Sequence, residues 1–416
     1  MSKFINFNNK YIDKTFWVLF IALIVVAVIA LFSASSTLVY EEHSIIGPVG
    51  QQIIFLLIGL VTAWFIQFIP SLYIRMGGYA ILLFSLLCMY IMLIPGNPFA
   101  VTHNEAARWF NLFGFVFQPS ELAKLSLVIV VADMLSRIHT EEDKKKYFWW
   151  TFGVTAVTVL PILTNNLSTA MLLSGIVFIM WFLARISYKY LGIVMGSAIV
   201  LLVLGYCIVE FAYVKPQKKM EGLMGRATTW VGRIDDMFTE HEGDDAKFEL
   251  NDDNYQRSLA KVAIARGGIT PFGVGPGNSK ERDFLPLAFA DYIFAIIVEE
   301  SGLIGAFLLI FLYMAILFRA CLTSNRFNDY SSMLMVMGLA LMITCQALIS
   351  MAVAVGIGPV TGQPLPLISR GGTSVLITSI YFGVMMCVSR EQKQLSEQQK
   401  SVLNESKDDV PDIVLE

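Results

Sequence analysis

Ten apolar runs, each close to the length a helix needs to cross a bilayer, constrain this chain more than any other feature. They fall at about 16–34, 51–69, 76–95, 119–137, 147–163, 167–184, 189–211, 287–318, 332–356 and 373–389. A ~30 Å hydrocarbon core takes about 20 helical residues. Lipid offers backbone N–H and C=O groups no partner, so such runs fold as helices whose hydrogen bonds are all internal. The expected fold class is therefore an all-α polytopic membrane protein with ten transmembrane helices. Charged residues make up only 15% of the chain, against about 25% in soluble domains. A net charge of −3 supplies no basic field for nucleic acid. Cys88, Cys207, Cys321, Cys345 and Cys387 sit in or beside apolar runs without CxxC spacing, as small core residues and not a disulfide or zinc set. Ser33-Ala34-Ser35 resembles a signal-peptide cleavage site, but the run before it exceeds the usual ~7–15-residue apolar core, so it is expected to stay as an uncleaved span.

Lys and Arg orient the helices, because cytoplasmic loops carry an excess of them. With the N-terminus inside, the inner loops and tails hold sixteen positive charges between Lys3 and Lys407, against Arg108 and Arg370 in short outer loops. Both termini are expected in the cytoplasm. Residues 1–390 then form one membrane domain with a single large extracytoplasmic loop, 213–286, and 391–416 form a polar, disordered cytoplasmic tail. The loop contains an acidic run from Asp235 to Asp253, nine carboxylates opposed only by Lys247, which a solvated insert explains more simply than a cation site. A wetter stretch between the third and fourth runs carries a short amphipathic segment, Glu105–Phe115.

Ionisable groups near the membrane interior are expensive to keep and are functional candidates for that reason. Four connections place such groups at the outer interface. Arg108 lies before the fourth run, and Glu121 and Lys124 share one face of its first turns. Asp291 lies at the start of the eighth run, with Glu299 and Glu300 deeper along it, and Arg370 precedes the tenth. Each has a bland explanation on its own. Glu121 and Lys124 could be a structural ion pair, Arg108 could snorkel to headgroups, and Asp291 could favour a helix dipole. Their gathering on one side argues for a shared site. Asp133 and Arg137, near the other end of the fourth run, are expected to be a structural pair. The stretch Gly267 to Gly277 permits close backbone approach, as a tight turn or a seat for a phosphate-bearing ligand, but it lacks the GK[ST] of a nucleotide loop. Dense Pro and Gly between Gly356 and Thr373 at membrane depth indicates a cavity open to the outside.

At these positions the sequence resembles the SEDS family (shape, elongation, division and sporulation) over about residues 12–390. The resemblance is carried by Ala107-Arg108-Trp109-Phe110 with Gln118-Pro119-Ser120-Glu121-Leu122-Ala123-Lys124, and by Asn166-Leu167-Ser168-Thr169-Ala170. Tyr255-Gln256-Arg257-Ser258 through Leu285-Pro286, Asp291-Tyr292-Ile293-Phe294-Ala295 with Glu299-Glu300, and Gly358 through Ser374 carry the rest. The resemblance implies a peptidoglycan glycosyltransferase that polymerises lipid II at the outer face of the bacterial cytoplasmic membrane, with a class B penicillin-binding protein (a transpeptidase) and other divisome proteins as partners. It puts the family's essential carboxylate on Asp291, as general base or as holder of a divalent cation (Mg2+ or Mn2+), with no organic cofactor. Arg108 and Lys124 would stabilise the pyrophosphate leaving group, Glu121 would hold Lys124, and Gln256, Ser258, Ser369 and Arg370 complete the substrate-binding candidates.

The acidic run 235–253 lengthens the outer loop relative to the family pattern, and the motifs themselves depart from it in three places. Leu287-Ala288-Phe289-Ala290 precede Asp291 where a Glu and a His are common, Asn166 replaces an Asp, and Arg370 stands where Tyr is usual. A division member of the family is favoured over an elongation member by the cytoplasmic tail and the shape of the Gln118–Lys124 block. Two other readings compete. A lipid II flippase needs a polar path through to the cytoplasmic side, where only single residues such as Gln346 and Ser350 occur. A non-catalytic division scaffold would tolerate replacement of Asp291.

Overall fold

A computed structural model describes residues 11–34, 46–94, 96–103, 106–112, 114–209, 255–285, 289–327, 329–358 and 362–408. The acidic run 235–253 lies outside the described residues. Among the described residues the main helices are, in chain order, α1 (Lys14–Ala34), α2 (Ile46–Ile66), α3 (Ser71–Met92), α4 (Pro119–Leu135), α5 (Glu141–Asn165), α6 (Leu167–Leu183), α7 (Tyr188–Val209), α9 (Ile293–Ser324), α10 (Tyr330–Val355) and α11 (Gly372–Asp408), with the shorter α8 (Tyr255–Gly268) between α7 and α9. Eight are long and apolar enough to cross a membrane by length and composition, whereas α4 and α6 have 17 residues each.

Local chemistry starts and stops these helices. Pro119 opens α4 at a position whose N–H needs no partner. Thr140 and Asp143 form a reciprocal capping box on α5. The Asp329 carboxylate accepts from the N–H groups of Ser331 and Ser332, both at 3.3 Å, at the start of α10. Gly356 ends α10 in the left-handed region, φ 91°.

The core lies around α4 and α10. The α4 helix is buried on nearly every face and packs on α3, α5 and α10, which in turn packs on α6 and α9. Backbones come close where Gly338 of α10 faces α4 and α6: a Cβ there would lie 2.7 Å from Val128 and 3.0 Å from Met180. The opposite extreme is α7, whose apolar side chains are almost all exposed.

Three expectations are corrected. The chain is not purely helical: β1 (Ala100–His103), β2 (Ala106–Leu112) and β3 (Phe115–Phe117) form an antiparallel meander in the wet segment between α3 and α4. Phe110 pairs with Ala100 and with Phe117 across it, and Phe110 and Phe117 pack on Cys88 and Met92. Side chains two apart share a strand face, so β2 turns Arg108 with Phe110 toward the helices. The eighth helix begins at Ile293, not at 287, which leaves Asp291 in the loop before it. The polar tail continues α11 as helix to Asp408, and residues 409–416 lie outside the described residues.

The glycine stretch has a structural answer. Within α9, Gly302 leaves helical geometry at φ 66°, ψ −160°, which frees backbone groups on either side. The glycine loop takes them up: the N–H groups of Val274 and Gly275 donate to the carbonyls of Glu299 and Glu300 at 2.9 and 3.0 Å, and the N–H of Ile304 donates to the Pro271 carbonyl at 3.1 Å. A Cβ at Gly302 would lie 2.4 Å from both Gly273 N and Pro271 O. Close backbone approach here is to α9, which is why both positions require glycine.

Candidate active site

The site begins where three connections meet. Gly362, at φ +57°, sits between Asp291 and Arg108: a Cβ there would lie 3.7 Å from Asp291 Oδ2 and 4.0 Å from Arg108 Nη1. The loop before α9, strand β2 and the loop before α11 therefore bring a carboxylate and a guanidinium together. Burial raises the Asp291 carboxyl above the ordinary Asp range, and the Arg108 charge only partly opposes it. Arg108 also lines a small cleft with Gln118, Asn165 and Asn166 at the ends of α4, α5 and α6.

A polar lattice holds this arrangement from below. Glu121 and Lys124 form an ion pair at 2.6 Å with side chains 9% and 1% exposed. Lys124 Nζ donates to Gln346 Oε1 at 3.0 Å, and Gln346 Nε2 donates to the Pro364 carbonyl at 3.0 Å. Next along the loop, Gln363 donates to the Thr169 hydroxyl of α6, while Asn166 caps α6 by accepting from Thr169 N at 3.1 Å. Ser369 Oγ accepts from Leu365 N at 2.8 Å and donates to the Ala290 carbonyl at 2.5 Å, one residue before Asp291. Arg370 N donates to the Phe289 carbonyl at 2.9 Å, and the guanidinium lies 5.4 Å over the Phe289 ring. With Gln52 and Phe55, Arg370 and Phe289 line a neighbouring cavity of about 240 Å³.

The sequence candidates thus take different places. Asp291 and Arg108 both border Gly362. Lys124 and Glu121 are buried and act on the 362–371 loop through Gln346, and Ser369 ties that loop to the Asp291 segment with both of its hydrogen-bonding roles used. Arg370 lies at the cavity edge. Gln256 and Ser258 sit on α8, which packs on α9 and α10, and no hydrogen bond among the described residues links them to Asp291, Arg108 or the loop. Glu299 and Glu300 brace the outer segment instead. Glu299 accepts from the Ser279 hydroxyl and Lys280 N, and Glu300 from the Ser33 hydroxyl of α1. Sequence reasoning did not assign Gln346, Gln363 or Thr169 to the site. The available signal was an isolated amide, Gln346, inside an otherwise apolar helix.

Among the described residues no group of three or more His, Cys, Asp or Glu converges as a metal site. That donor set does not form a protein cage. Asp291 alone fits a magnesium-like ion that takes one or two carboxylates and completes its shell with substrate phosphates and water.

Comparison with known proteins places the chain. The sequence profile of the FtsW/RodA/SpoVE cell cycle proteins matches residues 13–394. A probable peptidoglycan glycosyltransferase FtsW of Saccharophagus degradans is 30% identical over 398 residues, 92% of this chain and 95% of that one. Another FtsW, of Marinomonas mediterranea, is 29% identical over 96% of this chain and 94% of its own. The peptidoglycan glycosyltransferase MrdB of Escherichia coli is 25% identical over 94% and 96%. Among solved structures, a chain of a peptidoglycan synthase complex that coordinates polymerization and crosslinking superposes with TM-score 0.69 at 24% identity, over 92% of this chain and 99% of that one. The rod shape determining protein RodA of Thermus thermophilus gives 0.61 at 22% identity, over 92% and 97%. A multi-pass helical protein with a RodA-like fold and a profile match over most of its length, the chain belongs to the FtsW/RodA/SpoVE family of cell cycle proteins.

Proposed function

We propose that this chain is a peptidoglycan glycosyltransferase that polymerises lipid II, with Asp291 and Arg108 as the reacting pair. The observation that carries the reading is their convergence at Gly362, at one end of the bundle. Asp291 accepts the proton of the acceptor sugar hydroxyl as that oxygen attacks the donor's anomeric carbon. The bond from that carbon to the lipid pyrophosphate breaks, and the pyrophosphate leaves with the electron pair. Arg108 stabilises the charge gathering on it, and Arg370 would meet a second phosphate. The partly desolvated carboxylate suits this role, because its raised pKa makes it the stronger base. Were Asp291 instead to hold a divalent cation, Mg2+ or Mn2+, that ion would supply charge neutralisation for the leaving pyrophosphate.

The ten apolar helices are read as ten spans with both termini inside, on the Lys and Arg asymmetry of the sequence. That orientation puts Asp291 at the outer face of the bacterial cytoplasmic membrane. The division role is favoured over elongation because several relatives carry the FtsW name. A class B penicillin-binding protein is the proposed partner, by likeness to the synthase complex. A flippase needs polar groups along its whole path. Below the ion pair α4 buries mainly Leu127, Val128, Val131 and Leu135, with Ser126 bonded to its own helix and Asp133 paired with Arg137 near the other end.

Purified chain in detergent, given lipid II with and without a class B penicillin-binding protein, separates the readings. Detergent has no leaflets to cross, so glycan strands on a gel mean polymerase. Absence of strands in every combination would sink the proposal.

A further inference from the structure

The far end of the bundle from Asp291 carries a second polar cavity that the reaction does not use. It has a volume of about 400 Å³ and lies between the end of α9 (Arg319, Thr323), the α9–α10 connection (Arg326) and the cytoplasmic half of α11 (Ser389, Lys393, Ser396). Its charge balance is positive. Among the described residues Asp13 is the one carboxylate bonded to its lining, buried, accepting two hydrogen bonds from Arg319 Nη2 at 2.8 and 2.7 Å and one from Ser389 Oγ at 2.7 Å, with Lys393 Nζ at 3.6 Å. That satisfies one of the three cations. Arg326 is exposed and makes no side-chain hydrogen bond or ion pair among the described residues, and Lys393 is only loosely held. Two positive charges are left facing a cavity far larger than the ~30 Å³ share of one water.

The surroundings point to a lipid. Phe311, Phe318 and Leu322 of α9 are exposed and share one face of the helix, and Leu322 directly precedes Thr323 of the cavity lining. An acyl chain lying along that stripe would bring its headgroup phosphate to Arg326 and Lys393. The Lys and Arg asymmetry puts this end at the cytoplasmic leaflet, and basic pockets between helices on that side suit anionic headgroups.

We propose that this cavity binds the phosphate of an anionic phospholipid of the inner leaflet, with Arg326 and Lys393 as its ligands and the Arg319–Asp13 pair as the scaffold that sets Lys393 in place. The site is independent of the glycosyltransferase reading and lies at the other end of α9 from Asp291.

The full chain in detergent, incubated with equal amounts of phosphatidylglycerol and phosphatidylcholine, is read by native mass spectrometry. Wild type retains phosphatidylglycerol preferentially. Each Lys or Arg near a lipid surface contributes about fivefold in affinity, so R326Q/K393Q lowers retention about 30-fold. R326Q alone removes a side chain with no bonded partner among the described residues, so it tests the site without disturbing the fold and is expected to cost about fivefold. Equal retention by wild type and R326Q, or no preference for the anionic lipid in wild type, overturns the proposal. Inorganic phosphate that binds wild type with no lipid preference also overturns it, because the occupant is then a soluble phosphate.

Discussion

Replacing Lys124 with methionine would leave Glu121 in the α4–α10 interior without its counter-ion. The pair is 2.6 Å apart, with side chains 1% and 9% exposed, so water cannot take over for the missing ammonium. Breaking a buried pair by removing one partner typically costs about 3–5 kcal/mol, whereas replacing both partners with apolar groups is often close to neutral. Gln346 Oε1 loses its donor as well, which adds about 1–3 kcal/mol if nothing replaces it. The double variant E121Q/K124M should therefore be more stable than K124M alone, by about 0.5–3 kcal/mol of coupling. Unfolding of the detergent-solubilised protein by sodium dodecyl sulfate, followed by far-UV circular dichroism, measures both. A K124M variant within about 1 kcal/mol of wild type, or additive single and double variants, would refute the claim that this pair holds the site together.

Other expectations follow from the same geometry. Gly302→Ala forces a side chain into φ 66°, ψ −160° and against Gly273 and Pro271, costing about 1–3 kcal/mol of strain before the clash is counted; folded yield should fall, while Gly175→Ala, which meets nothing within 4 Å, should behave as wild type. At the other end, burial pushes the Asp13 carboxyl up, but the bonds from Arg319 and Ser389 and the nearby Lys393 outweigh it and hold it below the ordinary value. Asp13 therefore contributes stability above the unfolded-state pKa of about 3.9 that is lost as pH falls through the lower folded value; Arg319→Gln should move that acid loss to higher pH in melting curves. If Asp291 is the base, turnover falls as pH drops through its raised pKa, and Arg108→Gln, which removes the opposing charge, shifts that limb further up. A pH–rate profile unchanged by that substitution would contradict the assignment.

Much of the fold was readable because lipid leaves backbone groups one solution, so apolar runs became helices, eight of which, among the described residues, are long and apolar enough to cross a membrane. The Glu121–Lys124 pair was readable from spacing on one helix face. The meander was not: its seven-residue strand alternates only briefly, and the same residues suit a short amphipathic helix. Polarity alone suggests disorder for the tail, yet residues 391–400, Glu-Gln-Lys-Gln-Leu-Ser-Glu-Gln-Gln-Lys, are mostly good helix formers and continue α11. Gln346 and Gln363 entered the site through partners 222 and 194 residues away in the chain, and local pattern carries no record of such pairings. The glycine loop was recognised as close backbone approach, but its partner, the break at Gly302, lies on another element.

The central claim is that Asp291 performs the chemistry. Lipid II polymerisation by purified wild type and Asp291→Asn, each with a class B penicillin-binding protein, tests it most directly. The account predicts glycan strands from wild type and none from the variant, with partner binding and melting behaviour retained. Equal polymerisation by both would remove Asp291 from the mechanism and with it the functional reading of its convergence with Arg108 at Gly362.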